Sequence, residues 1–138
     1  MDEPRIQPLS LRGDFLLAIL AGKKKTEYRT RKWNLSGDLL LAATRNTKEI
    51  PQGQEILPGY AMAVVSVVGR HQETNGEWAY ELSNIRAITP FPIRGYAGIY
   101  YTALERVDYR PELEGLTTEA YVEKMKREGF RFVKSPKI

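Results

Sequence analysis

The chain has 138 residues, 42% of them hydrophobic, and its 21 basic and 17 acidic side chains leave a formal charge of +4. That length suits one domain, residues 1–138, with enough apolar material to build its own core. The absence of cysteine excludes disulfides, thiolate nucleophiles and cysteine-ligated zinc, and the single histidine, His71, excludes multi-histidine metal sites.

Pro8-Leu-Ser-Leu11 alternates, predicting a short strand with Leu9 and Leu11 on one face and Ser10 and Arg12 on the other. Phe15, Leu16, Ile19 and Leu20 then recur at three- and four-residue intervals, with Asp14 in the first turn and Gly22 as the left-handed stop of an amphipathic helix. Lys23, Lys24 and Lys25 follow where the helix dipole and the last free carbonyls favour cations. Residues 22–32 carry six cations and one carboxylate, Glu27, a local charge of +5 that leaves the remainder of the chain slightly acidic. A surplus confined to eleven residues points to an anionic partner. Thr26 to Arg31 has strand alternation, which puts Glu27, Arg29 and Arg31 on one face and turns Tyr28 towards the core.

After Trp33 and a turn at 34–37, the apolar run 38–43 predicts a strand buried on both faces. Residues 44–58, punctuated by Pro51, Gly53 and Pro58, read as an irregular connection with one helical turn near 46–50, long enough to form a lip over a cleft. The valine-rich segment 60–69 is the expected central strand. Thr74-Asn75-Gly76 predicts a hairpin turn, and 77–88 alternates through Trp78, Tyr80 and Leu82. Pro90 to Gly95 reads as a rigid extended loop and 97–103 as a last strand. Six short strands and one early helix give an α+β fold, a small β-barrel with helical insertions. Thr117 or Thr118 caps a further helix to about Glu128, with Tyr121, Val122 and Met125 on its apolar stripe, Gly129 as its stop and 130–133 as an edge strand. Residues 121–138 hold a second surplus of +4.

The N-terminal Met-Asp-Glu-Pro-Arg lacks a basic-then-apolar leader pattern and no apolar run reaches membrane-spanning length, so the expectation is a soluble, cytoplasmic protein that engages no membrane. No metal or cofactor is expected. Any catalysis would fall to lysine, carboxylate, tyrosine or arginine groups. Lys24 could neutralise a phosphate or act as a base or nucleophile. Glu27, among cations, reads as an orienting ion-pair partner whose pKa those neighbours lower. Arg29 and Arg31 can fork onto phosphate oxygens, with Lys25, Ser10 and Arg12 beside them if the first strand adjoins the motif strand. Trp33 and Tyr80 are candidate stacking platforms for a base, and Arg94 a rim contact.

The pattern Gly22-x-Lys24-x-x-Glu27-x-Arg29 after a helix, preceded by Leu9-Ser10-Leu11, resembles the signature of the ASCH domain in the PUA-like superfamily. The likeness runs in order over residues 8–103, through Gly37 to Ala43, Gly59 to Val68, Tyr80 to Asn84 and Pro90 to Ile99, leaving 104–138 as a C-terminal extension. It implies a small β-barrel with a basic cleft beside the early helix and an RNA or other nucleic-acid ligand, including a modified nucleoside. In the acetylcytidine amidohydrolase branch the motif lysine, here Lys24, is catalytic, a threonine stands where this chain has Glu27, and a distant glutamate completes the site. Glu73, Glu77 and Glu81 are the candidates for that glutamate. Ribonuclease activity is also associated with the family. Three functions are therefore in view: nucleic-acid binding, hydrolysis through Lys24 with Glu27, and a protein-interaction module using the tail helix.

Overall fold

A computed structural model describes residues 4–32, 35, 37–93 and 101–135. The chain folds as α+β, with a six-stranded mixed sheet and two helices. The strands are β1 (Arg5–Leu11), β2 (Thr26–Arg29), β3 (Gly37–Ala43), β4 (Glu55–Ile56), β5 (Tyr60–Gln72), β6 (Trp78–Pro92), β7 (Thr102–Ala103) and β8 (Val133–Lys134). The helices are α1 (Gly13–Leu20) and α2 (Thr118–Arg127). The main sheet has the order β2-β6-β5-β3-β1-β7, and β4 pairs with β8 in a separate ribbon.

Apolar runs place the strands. Leu39 and Leu41 of β3 enter one hydrophobic cluster with α1 and α2, while Leu40 and Ala42 enter a second with Ile6, Val64 and Ile88 on the opposite face. This is the two-sided burial that an unbroken apolar run predicts. The helix signals also hold. Gly22 has φ +77, and the amides of Gly22 and Lys23 bond the carbonyls of Ile19 and Ala18, closing α1 in a Schellman turn. Lys24 N also bonds Ala18 O, so backbone amides, not the ammonium groups, satisfy these carbonyls. Thr117 caps α2 by accepting from Ala120 N at 3.1 Å. Tyr121, Val122 and Met125 of α2 are buried against the body, so the apolar stripe of this helix is already covered.

Other expectations need correction. The stretch 46–50 forms a hydrogen-bonded turn between Thr47 and Ile50, with no helix, and Glu55–Ile56 within the connection is a strand. Pro90-Phe91-Pro92 belongs to β6 and not to a loop. Between Ala87 and Phe91 the strand leaves its register with β5, and Thr89 N bonds Asp108 O instead. Prolines are tolerated at such an irregularity because they have no N–H to leave unpaired. The tail strand lies at Val133–Lys134, displaced from 130–133. Of the strand expected at 97–103, residues 101–103 are described and only Thr102–Ala103 is strand; residues 97–100, together with Trp33 and Arg94, lie outside the described residues.

The sheet is not closed, and the opening positions the site. One edge of β1 pairs with β3 from Gln7 to Leu11, but the other pairs with β7 only at Arg5 and Ile6. β2 pairs on one side alone, with β6. The outer edge of β1 after Ile6 and the outer edge of β2 thus have no strand partner among the described residues. The Arg29 guanidinium spans this seam, donating from Nη2 to Ser10 O at 2.7 Å. A side chain does across this gap what a ladder would do in a closed barrel.

Candidate functional site

Glu27 sits at the seam. The strand alternation of β2 is as expected but the face is reversed: Glu27 is 5% exposed and turned inward, whereas Tyr28 is 47% exposed. An edge strand can turn charge inward when partners await it. Arg29 Nε lies 2.9 Å from Glu27 Oε2, and the same guanidinium reaches the Ser10 carbonyl. The Nε–H is not aligned on the carboxylate, so the contact is an ion pair rather than a well-formed hydrogen bond.

Two adjoining hollows share Phe15, Glu27 and Tyr28. The first, about 360 Å³, lies in the seam and is completed by Ser10, Leu11, Arg12, Arg29, Thr44, Asn46 and Glu49. The second, about 570 Å³, is completed by Lys24, Glu73, Thr74, Asn75 and Glu77. Both fall within the range of about 300–1,000 Å³ usual for small-molecule sites. The 44–58 connection does supply a lip, through Thr44, Asn46 and Glu49. The hairpin turn after β5 supplies the opposite wall.

Phe15 is the residue the sequence reading missed. Its spacing with Leu16 and Ile19 marks it as core, yet it stands half-buried at the edge of the apolar stripe. The Arg12 guanidinium carbon lies 3.9 Å and the Lys24 Nζ 4.7 Å from its ring centre. Lys24 Nζ is also 5.3 Å from the Tyr28 ring, so the amine is held between two aromatic faces. The basic residues on both flanks of the Phe15 helix were the available signal.

The cations lining the seam hollow are matched. Arg12 binds Asp14 through two hydrogen bonds of 3.0 and 2.7 Å, and Arg29 is held by Glu27. Three cations, Arg12, Lys24 and Arg29, face four carboxylates, Glu27, Glu49, Glu73 and Glu77. The interior is therefore not the basic cleft expected. The uncommitted positive charge lies outside it, on exposed Lys23, Lys25, Arg31 and Lys32. Arg31 lies beyond the end of β2 and does not share the Glu27 face; Lys32 Nζ stands 5.1 Å from the Trp78 ring. Tyr80, expected as a stacking platform, is fully buried opposite Glu27 in the β2–β6 register and cannot meet a ligand. Of the three distant glutamates, Glu73 and Glu77 reach the hollow, while Glu81 stands 3.7 Å from His71.

Burial raises the Glu27 pKa above the ordinary glutamate value of 4.5, against the opposing pull of Arg29 and Lys24. The sequence reading had the sign reversed, because it counted charges and not the loss of water. Since the folded value exceeds the unfolded one, the folded state holds the extra proton between them. The Glu27 contribution to stability is fully present below pH 4.5, falls as pH rises towards the raised value, and levels off above it. Urea unfolding between pH 4 and 8 should show this slope in the difference between the native chain and Glu27→Gln. Parallel profiles would show that the carboxyl is not desolvated.

Two further hollows lie away from this seam, one between residues 52–55 and α2 and one beside Arg45 and Arg106. Among the described residues no cluster of three or more histidine or carboxylate groups could hold a metal, and no helix is long and apolar enough to cross a membrane. No model of a known protein family matches the chain, and no curated protein matches it.

Proposed function

We propose that the chain binds RNA or another single-stranded nucleic acid, seating one base or modified nucleoside in the paired hollows while phosphates lie along the exposed cations outside. The observation that carries this reading is the buried Glu27 carboxyl lining the same two hollows as the Phe15 and Tyr28 rings, next to the basic stretch. Unstacked bases are recognised by aromatic faces together with polar groups at their edges, and the polymer's charge by lysine and arginine. A hollow whose own charges are matched suits a neutral polar base better than a phosphate. The resemblance to the ASCH domain supports the nucleic-acid ligand, though not this placing of the phosphates outside the cleft.

Affinity for a short single-stranded RNA should fall with salt at a log–log slope of about −3, as about four phosphates released from counterions require at roughly −0.7 each. Fluorescence anisotropy of the native chain and of a Lys25→Ala, Arg31→Ala, Lys32→Ala variant tests this; the variant should have a slope nearer −1. An affinity indifferent to ionic strength defeats the proposal.

A second reading, hydrolysis of an acylated nucleoside or of RNA, is favoured by one placement: Lys24 and Glu27 share their hollow with Glu73 and Glu77. An amine beside a carboxyl of raised pKa, with further carboxylates opposite, is a set able to attack a carbonyl and move protons. Chromatography of acetylcytidine and labelled RNA after incubation decides it. Turnover lost in Lys24→Met supports catalysis, and intact substrate with retained binding supports a module.

A further inference from the structure

The geometry points to a separate phosphate subsite on the far side of the 44–46 segment, formed by Arg45, Arg106 and Thr102. The three line a hollow of about 560 Å³ with Pro92, Ile93 and Tyr101, and among the described residues no carboxylate contributes to its wall. This is the reverse of the motif hollows, whose cations face carboxylates. Four other guanidinium groups are matched: Arg12 with Asp14, Arg29 with Glu27, Arg86 with Asp38 and Arg110 with Glu128. Arg45 and Arg106 have no carboxylate partner among the described residues, although both border one cavity.

Both are nevertheless held in place. Arg106 lies with its guanidinium carbon 4.5 Å from the Phe91 ring centre and, among the described residues, gives one hydrogen bond, to Pro92 O at 3.3 Å, out of five N–H donors. The Arg45 side chain lies against Gly59, where a Cβ would come within 3.1 Å of Nε; the φ of +79 at Gly59 also requires glycine there. Thr102 is a buried polar residue, 6% exposed, that lines the same hollow. Two guanidiniums, the Thr102 hydroxyl and the Tyr101 phenol form a donor-rich wall. Such a set suits a tetrahedral anion, which accepts from several directions at once and which arginine engages through paired N–H groups.

The place of the subsite names the source of the phosphate. Thr44 and Asn46 line the seam hollow, and Arg45 between them lines this one, so a three-residue ridge divides the two. A strand with one base in the seam would cross that ridge and set a neighbouring phosphodiester against Arg45 and Arg106. This last step rests on the nucleic-acid reading; the anion subsite itself does not.

The test uses the full chain and an Arg45→Gln, Arg106→Gln variant with matched thermal melts. For a short single-stranded RNA the variant should bind about tenfold more weakly at low salt, with a slope shallower by roughly 0.7–1.4, one or two phosphates fewer. Binding of a free nucleoside should be unchanged, and an Arg45→Lys, Arg106→Lys variant should recover most of the slope. Titration with inorganic phosphate at constant ionic strength, followed by NMR of the arginine Nε–H signals, should shift Arg45 and Arg106 saturably, and the response should weaken in Thr102→Val. If the native chain binds no RNA but shows this phosphate response, the nucleic-acid reading fails and the anion subsite stands. Unshifted arginine signals, or an RNA affinity and slope unchanged in the glutamine variant, overturn it.

Discussion

Arg29→Ala is expected to destabilise the fold by about 3–5 kcal/mol, the cost of stripping a buried charge of its partner. Two losses combine in that change. The Glu27 carboxylate, 7% exposed at its side chain, loses the guanidinium at 2.9 Å, and the Ser10 carbonyl loses the donor that spans the seam between β1 and β2. The arginine is itself only 22% exposed, so water does not readily replace it. Because burial already raises the Glu27 pKa, the variant can relieve its burden by taking up a proton. The penalty should therefore shrink as pH is lowered towards 4.5 and grow towards neutrality. Chemical denaturation of the native chain, Arg29→Ala and the Glu27→Gln, Arg29→Ala double variant at two pH values separates the losses. The double variant should lie closer to the native chain than Arg29→Ala does, since a neutral amide is cheaper to bury than an unpaired carboxylate. An Arg29→Ala loss under about 0.5 kcal/mol, the range of ordinary surface substitutions, would show that the seam is held by other contacts.

The fold was legible wherever a local pattern decides it. Gly22, Thr117 and Gly129 mark helix ends because left-handed backbone and side-chain caps have few residue solutions, and the run 38–43 reads as doubly buried because it contains no polar residue after Asp38. Failures came where partners distant in sequence decide. The face that β2 turns inward depends on Ser10, nineteen residues earlier, which receives the Arg29 side chain. Pro90 and Pro92 join β6 because the 107–110 segment accepts residues 87–89 where β5 releases the strand, and β5 takes it up again with Phe91 opposite Ala61 and Pro92 opposite Tyr60. At the site, the motif identified Lys24, Glu27 and Arg29, but its charges read as an anion cradle. Only the packing reveals that Asp14, Glu27 and the hairpin glutamates neutralise the interior and leave the surplus outside. Tyr80 failed for the same reason: period two assigns it a face but does not say which face is core.

Two adjacent residues of α1 should respond oppositely to the same truncation. Leu16 is fully buried in the cluster that joins the helix to β3 and α2, and Leu16→Ala should cost about 2.7–5 kcal/mol, the transfer loss plus a cavity that a packed sheet cannot collapse. Phe15, one residue earlier, is turned about 100° around the helix axis and lines both hollows. Phe15→Ala should cost far less stability, about 1 kcal/mol for the lost cation–π contacts with Arg12 and Lys24. It should cost ligand affinity heavily, about 1–3 kcal/mol if the ring stacks on a base, a factor of roughly 5 to 150. Denaturant midpoints and RNA binding measured on both variants, at a temperature where each is folded, separate the two roles. Leu16→Ala that remains folded should bind with near-native affinity, because its side chain meets neither hollow. Should Phe15→Ala bind RNA as tightly as the native chain, the ring is merely the lid of the hydrophobic cluster and the base must be sought elsewhere; should it lose binding while retaining its midpoint, the helix presents a stability face and a ligand face divided between neighbouring residues.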